Sequence, residues 1–394
     1  MSLCITTNTT KISRYIEGFA KLAMENKLPI AVFDNTLSFA ANGEFLAELR
    51  KHHNLQIYHY DRSNLRKTIA EISSLSGCDA SPLFQQKTIS SGRNLSLLFA
   101  LGRNEHAVIS DDDATPFDGF FFQKHADALS SYGIGHGAIA GNIGMYLQLL
   151  LQIQDELFEI KRGNRKGSEL EESRQFMSGA IRGVQRFSKT PCLMGLSANN
   201  MSVRKELASK VPFACTPFNI EDYVYSASSR MKFPEFNYMQ NPKSREEENE
   251  LIAKLPAVFH NREPTEKPTI FPQLIKELKG SVAARMLQST ILQKNRIPMP
   301  RSLELAISDT YTTFAMEKFK RAFKFLESTI AQAGVDGLDA EISKITAIEP
   351  ADFTLSDSEA ADLLRDFNHS LENWEKVTSS AAARFSKELV GAPI

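Results

Sequence analysis

The chain has 394 residues, is 42% hydrophobic and 24% charged, and carries a formal net charge of −1. It is long and apolar enough to bury a large core or to divide into two or three domains. A charge near zero leaves no global electrostatic footprint for nucleic acid or an anionic membrane. The predicted elements begin with "LCIT", a short apolar strand. Ile12, Tyr15, Ile16, Phe19 and Leu22 are then spaced for one helix face. "PIAVF" reads as a buried strand, and Asp34-Asn35-Thr36 as the turn that ends it. "GEFLAELRKH" reads as a helix, "LQIYHY" as a strand, "SNLRKTIAEISSL" and "SGRNLSLLFAL" as helices, and "HAVIS" as a strand. This β-α-β-α-β order predicts an α/β, Rossmann-like domain with a mostly parallel sheet flanked by helices. Ligands bind at the carboxyl ends of such strands. Asp34 and Asp111 both follow predicted strands and are expected on one edge, although 77 positions separate them.

The middle is less regular. "GIGHGAIAG" fits a Gly-rich strand or a loop, and "NIGMYLQLLLQIQDELFEI" a packed helix. "KRGNRKGSELEESR" fits an exposed loop, and "KSREEENE" a solvated face. "PCLMGLSANNMSVRKELASK" predicts a strand, a turn and a short helix. Beyond about residue 268 strand-like runs nearly vanish. A helical stripe runs from Ile307 to Leu326. Ser356 and Glu359 have capping-box spacing ahead of Leu363, Leu364, Phe367, Leu371 and Trp374. Residues 1–267 are therefore read as the α/β domain and 268–394 as an all-helical extension. Its roles remain open: a cover for the site, an acceptor platform or a surface for oligomerisation.

Cys4, Cys78, Cys192 and Cys215 form no C-x-x-C pair, so neither a zinc knuckle nor a disulfide framework is expected, and a reducing compartment is. "MSLCITTNTT" lacks the basic segment and apolar core of a signal peptide. No run reaches the roughly 18 apolar residues of a membrane span. A soluble, cytoplasmic chain is the expectation.

The stretch "HAVISDDDATPF" ends a predicted strand in Asp111, Asp112 and Asp113. Adjacent like charges repel, and a desolvated carboxylate is costly unless it is paired or binds a cation. A solvated turn is the plain alternative. "NIEDYVY" places Glu221 and Asp222 in a predicted first helical turn, where acids favour the macrodipole. No G-x-G-x-x-G follows the first strand, and there is neither a P-loop nor a G-x-S-x-G elbow.

"ISSGRNLSLLFAL…HAVISDDDATP" resembles the centre of a family 2-type glycosyltransferase with the GT-A fold, in which an Arg-Asn helix start precedes a strand ending in a DxD motif. "CITTNTTKISRYIEGF", "AVFDNTLS", "GLSANNMSVRKEL", "FNIEDYVYSASSR" and "AVFHNREP" resemble further family segments, in the family's order, over roughly residues 1–265. The resemblance implies a metal-dependent transfer of a sugar from a nucleotide-sugar, most plausibly a UDP-sugar, to a hydroxyl acceptor, by inversion. It implies that the first Asp of the motif, Asp111, or Asp112 in the alternative register, approaches the sugar or ribose. Asp113, Asp111 and His260 would then hold Mn²⁺ or Mg²⁺. Hard oxygen ligands suit both ions, and a histidine nitrogen suits Mn²⁺ better. Asp222, with Glu221 as alternative, becomes the base that takes the acceptor proton.

On the nucleotide side, Asp34 is the candidate acceptor for a uracil imino N–H, and Arg93 is a diphosphate ligand or a brace for a carboxylate. Thr6 and Thr7 would touch the nucleotide through their backbone. Asn199 and Asn200 are candidate contacts for hydroxyls or simply a turn, and His136 a sugar contact or a structural histidine. Two other readings remain: a sugar-1-phosphate nucleotidyltransferase, against which "TTNTTK" lacks the Gly-rich basic loop, and a non-enzymatic binding or assembly protein that retains the domain.

Overall fold

A computed structural model describes residues 1–7, 12–37, 39–84, 89–142, 162–163, 188–193, 200–218, 220–239, 242, 244–261, 270–294, 343–344 and 347–388. The predicted helix over 143–160, most of the charged stretch 161–174, Asn199 and the stripe 307–326 lie outside these residues. The chain forms two compact units. One comprises Met1–Ala140, Thr190–Asn261 and Ala361–Ile394, and the other Gly141–Lys189 and Arg262–Ala360.

The first unit is α/β. Strands β1 (Ser2–Thr7), β2 (Ile30–Asp34), β3 (Ile57–Tyr60) and β4 (Ala107–Asp111) alternate with helices α1 (Ile12–Glu25), α2 (Phe39–His53), α3 (Arg62–Ser76) and α4 (Ile89–Gly102). The six-stranded sheet has the order β3-β2-β1-β4-β9-β6, with β6 at Ile134–His136 and β9 at Asn200–Val203. β1 to β4 pair in parallel. β9 runs antiparallel to both β4 and β6, so β6 shares the direction of β4. The sheet is therefore mixed, with β9 reversed. β1 is buried along its whole length, as a central parallel strand must be, and its residues alternate between faces. Cys4, Ala31 and Phe33 pack on the side of Leu65, Ile72 and Leu98 from α3 and α4. Helix α5 (Phe121–Ser131) meets α1 through Phe121 and Phe19, whose rings lie 5.3 Å apart.

A second sheet, of order β5-β10-β7-β8, contains β5 (Ala114–Pro116), β7 (Ala138–Asn142), β8 (Ser188–Cys192) and β10 (Ala257–Asn261). β5 leaves the carboxylate run directly and pairs antiparallel with β10, His260 opposite Ala114. The glycine-rich stretch thus forms β6 and β7. Asn200, read from sequence as part of a turn, opens a strand. Helices α6 (Lys205–Ala208), α7 (Glu221–Lys232) and α8 (Arg245–Lys254) complete this part of the chain.

Helices α9 (Ile270–Lys294), α10 (Pro350–Phe353) and α11 (Asp357–Glu388) follow. In the second unit α9 packs against α10, and Lys279 pairs with Glu359 at 3.5 Å. The predicted capping box is made. Ser356 N–H donates to Glu359 Oε2 at 2.8 Å, and Glu359 N–H to Ser356 Oγ at 3.2 Å. From Ala361 on, α11 belongs to the first unit. Leu363, Phe367 and Trp374 are buried there, and the Trp374 indole donates to Ala208 O at 2.8 Å. Lys205, at the start of α6, donates to His106 just ahead of β4. The helix is thus anchored at the edge where β4 begins, opposite its carboxyl end. Among the described residues no helix is long and apolar enough to cross a membrane.

Candidate functional site

The order β3-β2-β1-β4 places consecutive strands to one side of β1 and β4 to the other. The gap between the carboxyl ends of β1 and β4 is thus a topological switch point, where open α/β sheets bind ligands. The register aligns Thr7 with Asp34 and Thr6 with Asp111, so the two strand-end aspartates lie on one edge, as predicted. The Thr7 hydroxyl donates to Asp112 Oδ2 at 2.5 Å, and the side chain of Thr6 is buried beneath the first turn of α4. A Cβ on Gly92 would lie 2.4 Å from Thr6 Cγ2, so only glycine lets the helix approach this closely.

Asp111, Asp113 and His260 present ligand atoms that all lie within 4.8 Å of one another. His260 Nε2 is 3.0 Å from Asp113 Oδ1. The pairing of β5 with β10 delivers the histidine, and Asn261 N–H secures it by donating to Asp113 O at 2.7 Å. Two carboxylates and an imidazole suit a divalent cation such as Mn²⁺. Burial pushes the Asp111 carboxyl up to about 6; Arg93 opposes the shift and Asp113 adds to it. A cation among these groups offsets that cost.

Arg93, in the first turns of α4, is buried between the carboxylate run and α7. It pairs with Glu221 and lies 3.7 Å from Asp111 Oδ1. These contacts are those of a brace between two carboxylates. Glu221 is buried; burial raises its carboxyl above the usual range, against the pull of Arg93. Asp222 is half-buried and accepts from Tyr223 N–H at 2.7 Å.

Other candidates are differently placed. Asp34 is wholly buried and accepts from Thr36 N–H, Asn42 and His59. Its carboxylate closes the turn after β2 rather than opening toward a ligand. Asn200 is spent on structure. Its amide donates to Ala138 O and Pro256 O at 3.0 and 2.9 Å, and its oxygen lies 3.0 Å from His125 Nε2. His136 is buried, with Nε2 3.5 Å from Ser226 Oγ. Asn42 and His59 went unnoticed in the sequence because nothing local links a helix amide and a strand imidazole to Asp34. An open cleft of about 840 Å³ lies elsewhere, between α3, residues 79–84 and Arg365–Asp366 of α11. No protein-family model matches the chain, and no curated protein matches it in sequence.

Proposed function

We propose that the protein is a metal-dependent GT-A glycosyltransferase that moves a sugar from a nucleotide-sugar, most plausibly a UDP-sugar, to an acceptor hydroxyl with inversion. One observation carries the reading: Asp111, Asp113 and His260 gather at the carboxyl end of β4, beside the switch point of a mostly parallel sheet. Asp111, Asp113 and His260 would hold the cation, which when bound offsets the charge that builds on the departing diphosphate.

The remaining steps fall to side chains. Asp222 is the accessible member of its acidic pair and takes the acceptor proton. The acceptor oxygen forms its bond to the anomeric carbon as the bond to the diphosphate oxygen breaks, and the nucleoside diphosphate leaves with the electron pair. Glu221 is held on Arg93 and keeps that guanidinium against Asp111. The start of α7, which carries the base, and the cation site are thus tied through one arginine.

The test is UDP release from a panel of UDP-sugars by the purified protein, with Mn²⁺ and with EDTA, beside Asp113→Ala. We expect metal-dependent turnover that falls at least about 100-fold in the variant, since a bound cation supplies several kcal/mol to the transition state. Absence of both turnover and metal-dependent UDP binding overturns the reading.

A further inference from the structure

Two residues carry the chain from the first sheet to the second. Asp111 ends β4 and Ala114 opens β5, so Asp112 and Asp113 form the turn between them. The geometry of the cation site depends on this turn, because Asp111 and Asp113 supply two of the three candidate ligand atoms. Like charges so close repel, so something must hold the turn in place. On the side of the second sheet the fastening is Asn261. Its backbone N–H donates to Asp113 O at 2.7 Å, and its side-chain Nδ2 to the same oxygen at 3.2 Å. Asp113 Oδ1 then lies 3.0 Å from His260 Nε2.

On the side of the first sheet the fastening is Thr7. Its hydroxyl donates to Asp112 Oδ2 at 2.5 Å, a short hydrogen bond to a charged acceptor. Thr7 is the last residue of β1 and exposes no surface. Its carbonyl accepts from Asn35 N–H at 2.9 Å, and its register with Asp34 fixes the strand end. A β-branched side chain has few rotamers, so the strand sets the direction of the hydroxyl. The contact also occupies the middle carboxylate of the run. Asp112 stands in the chain between two ligands and carries the same charge. Left loose, it would compete with them for a cation.

We propose that Thr7 is a positioning residue for the cation site: by holding Asp112 against β1, it fixes the turn so that Asp111 and Asp113, and not Asp112, face the cation. This role rests on the cation site of the transferase reading above. Thr7 acts through Asp112 and is not itself a ligand. Its side chain does this work, whereas the sequence suggested only a backbone contact with the nucleotide.

The test is Mn²⁺ affinity, measured by titration calorimetry on the full chain without nucleotide, at a temperature where every variant is folded. Thr7→Val keeps the shape and removes the donor, and its affinity should fall about 10-fold, the scale of one hydrogen bond to a charged group. Thr7→Ser restores the donor and should recover most of the loss. Asp112→Asn keeps an acceptor oxygen and sheds one charge, so its affinity should fall far less than that of Asp113→Asn, which loses a ligand. A merely structural hydrogen bond would lower the urea midpoint of Thr7→Val and leave the Mn²⁺ affinity of its folded state alone. That result overturns the proposal, as does tighter binding by Thr7→Val or no recovery in Thr7→Ser. Equal losses in Asp112→Asn and Asp113→Asn make Asp112 a ligand and also overturn it. Failure of the wild type to bind Mn²⁺ overturns the cation site itself, and this role with it.

Discussion

Asn200 and Asp111 lie almost side by side, since Ser110 of β4 pairs with Asn200 of β9, yet their surroundings differ in kind. Around Asn200 the polar groups are spent on the protein. The amide joins two backbone carbonyls to His125, and Gly137 leaves it room; a Cβ there would sit 1.9 Å from Asn200 Nδ2. His125 and His136 are buried as neutral imidazoles, held far below the usual histidine range at about 3 and about 4, chiefly by burial. A neutral ring can be enclosed at modest cost. Around Asp111 the opposite holds. The carboxyl groups of Asp111, Asp112, Asp113, Glu221 and Asp222 surround Arg93 and His260, an excess of negative charge. Burial is what the two regions share; charge balance separates the structural network from the candidate site.

The sharpest way to break this contrast is to unbalance the charged region further. Arg93→Met leaves Glu221 and Asp111 without their guanidinium and should cost about 3–5 kcal/mol in urea unfolding. Arg93→Met combined with Glu221→Met should recover much of that loss, because the pair is then replaced by apolar side chains. A double variant no more stable than the single one would show that the arginine stabilises by packing instead.

Next in size is the structural network. Asn200→Ala strips two carbonyls and a histidine of their partner and should cost about 2–3 kcal/mol. The affinity for Mn²⁺ should stay within about twofold of wild type at a temperature where the variant is folded. A large loss of Mn²⁺ affinity would place Asn200 in the site. Mn²⁺ at about 100 times its dissociation constant should add about 2.7 kcal/mol to the wild type, and almost nothing to Asp113→Ala.

The smallest effect comes with pH. His125 and His136 have folded-state values below the unfolded 6.5, so the unfolded chain binds more protons over that interval. Their contribution is complete above pH 6.5 and is lost as the pH falls toward about 4 and about 3. Between about pH 7 and 6 the loss should be about 0.7 kcal/mol per histidine, read from the urea midpoint of the wild type against His136→Gln.

Much of the α/β order was legible because buried parallel strands appear as short apolar runs and helices carry their own period. Asp34 and Asp111 could be assigned to strand ends for that reason, and Ser356 and Glu359 to a helix start. The reversal of β9 could not be read in this way. "NMSV" is four residues long, and its Asn-Asn start resembles a turn. Asp34 shows a second limit. The sequence marks a carboxylate at the right edge, but its enclosure depends on Asn42 from α2 and His59 from β3.

By itself the sequence determined which segments become strands and helices, and that acidic groups end β4 and begin α7. Those are local properties, set by hydrophobic period, turn chemistry and charge. Only the tertiary structure decided that His260 meets Asp113 across 147 positions and that Arg93, beside Asp111, meets Glu221 across 128. Such contacts follow from strand pairing and from helices packing on a shared sheet, and no local pattern encodes which distant partner a side chain will face.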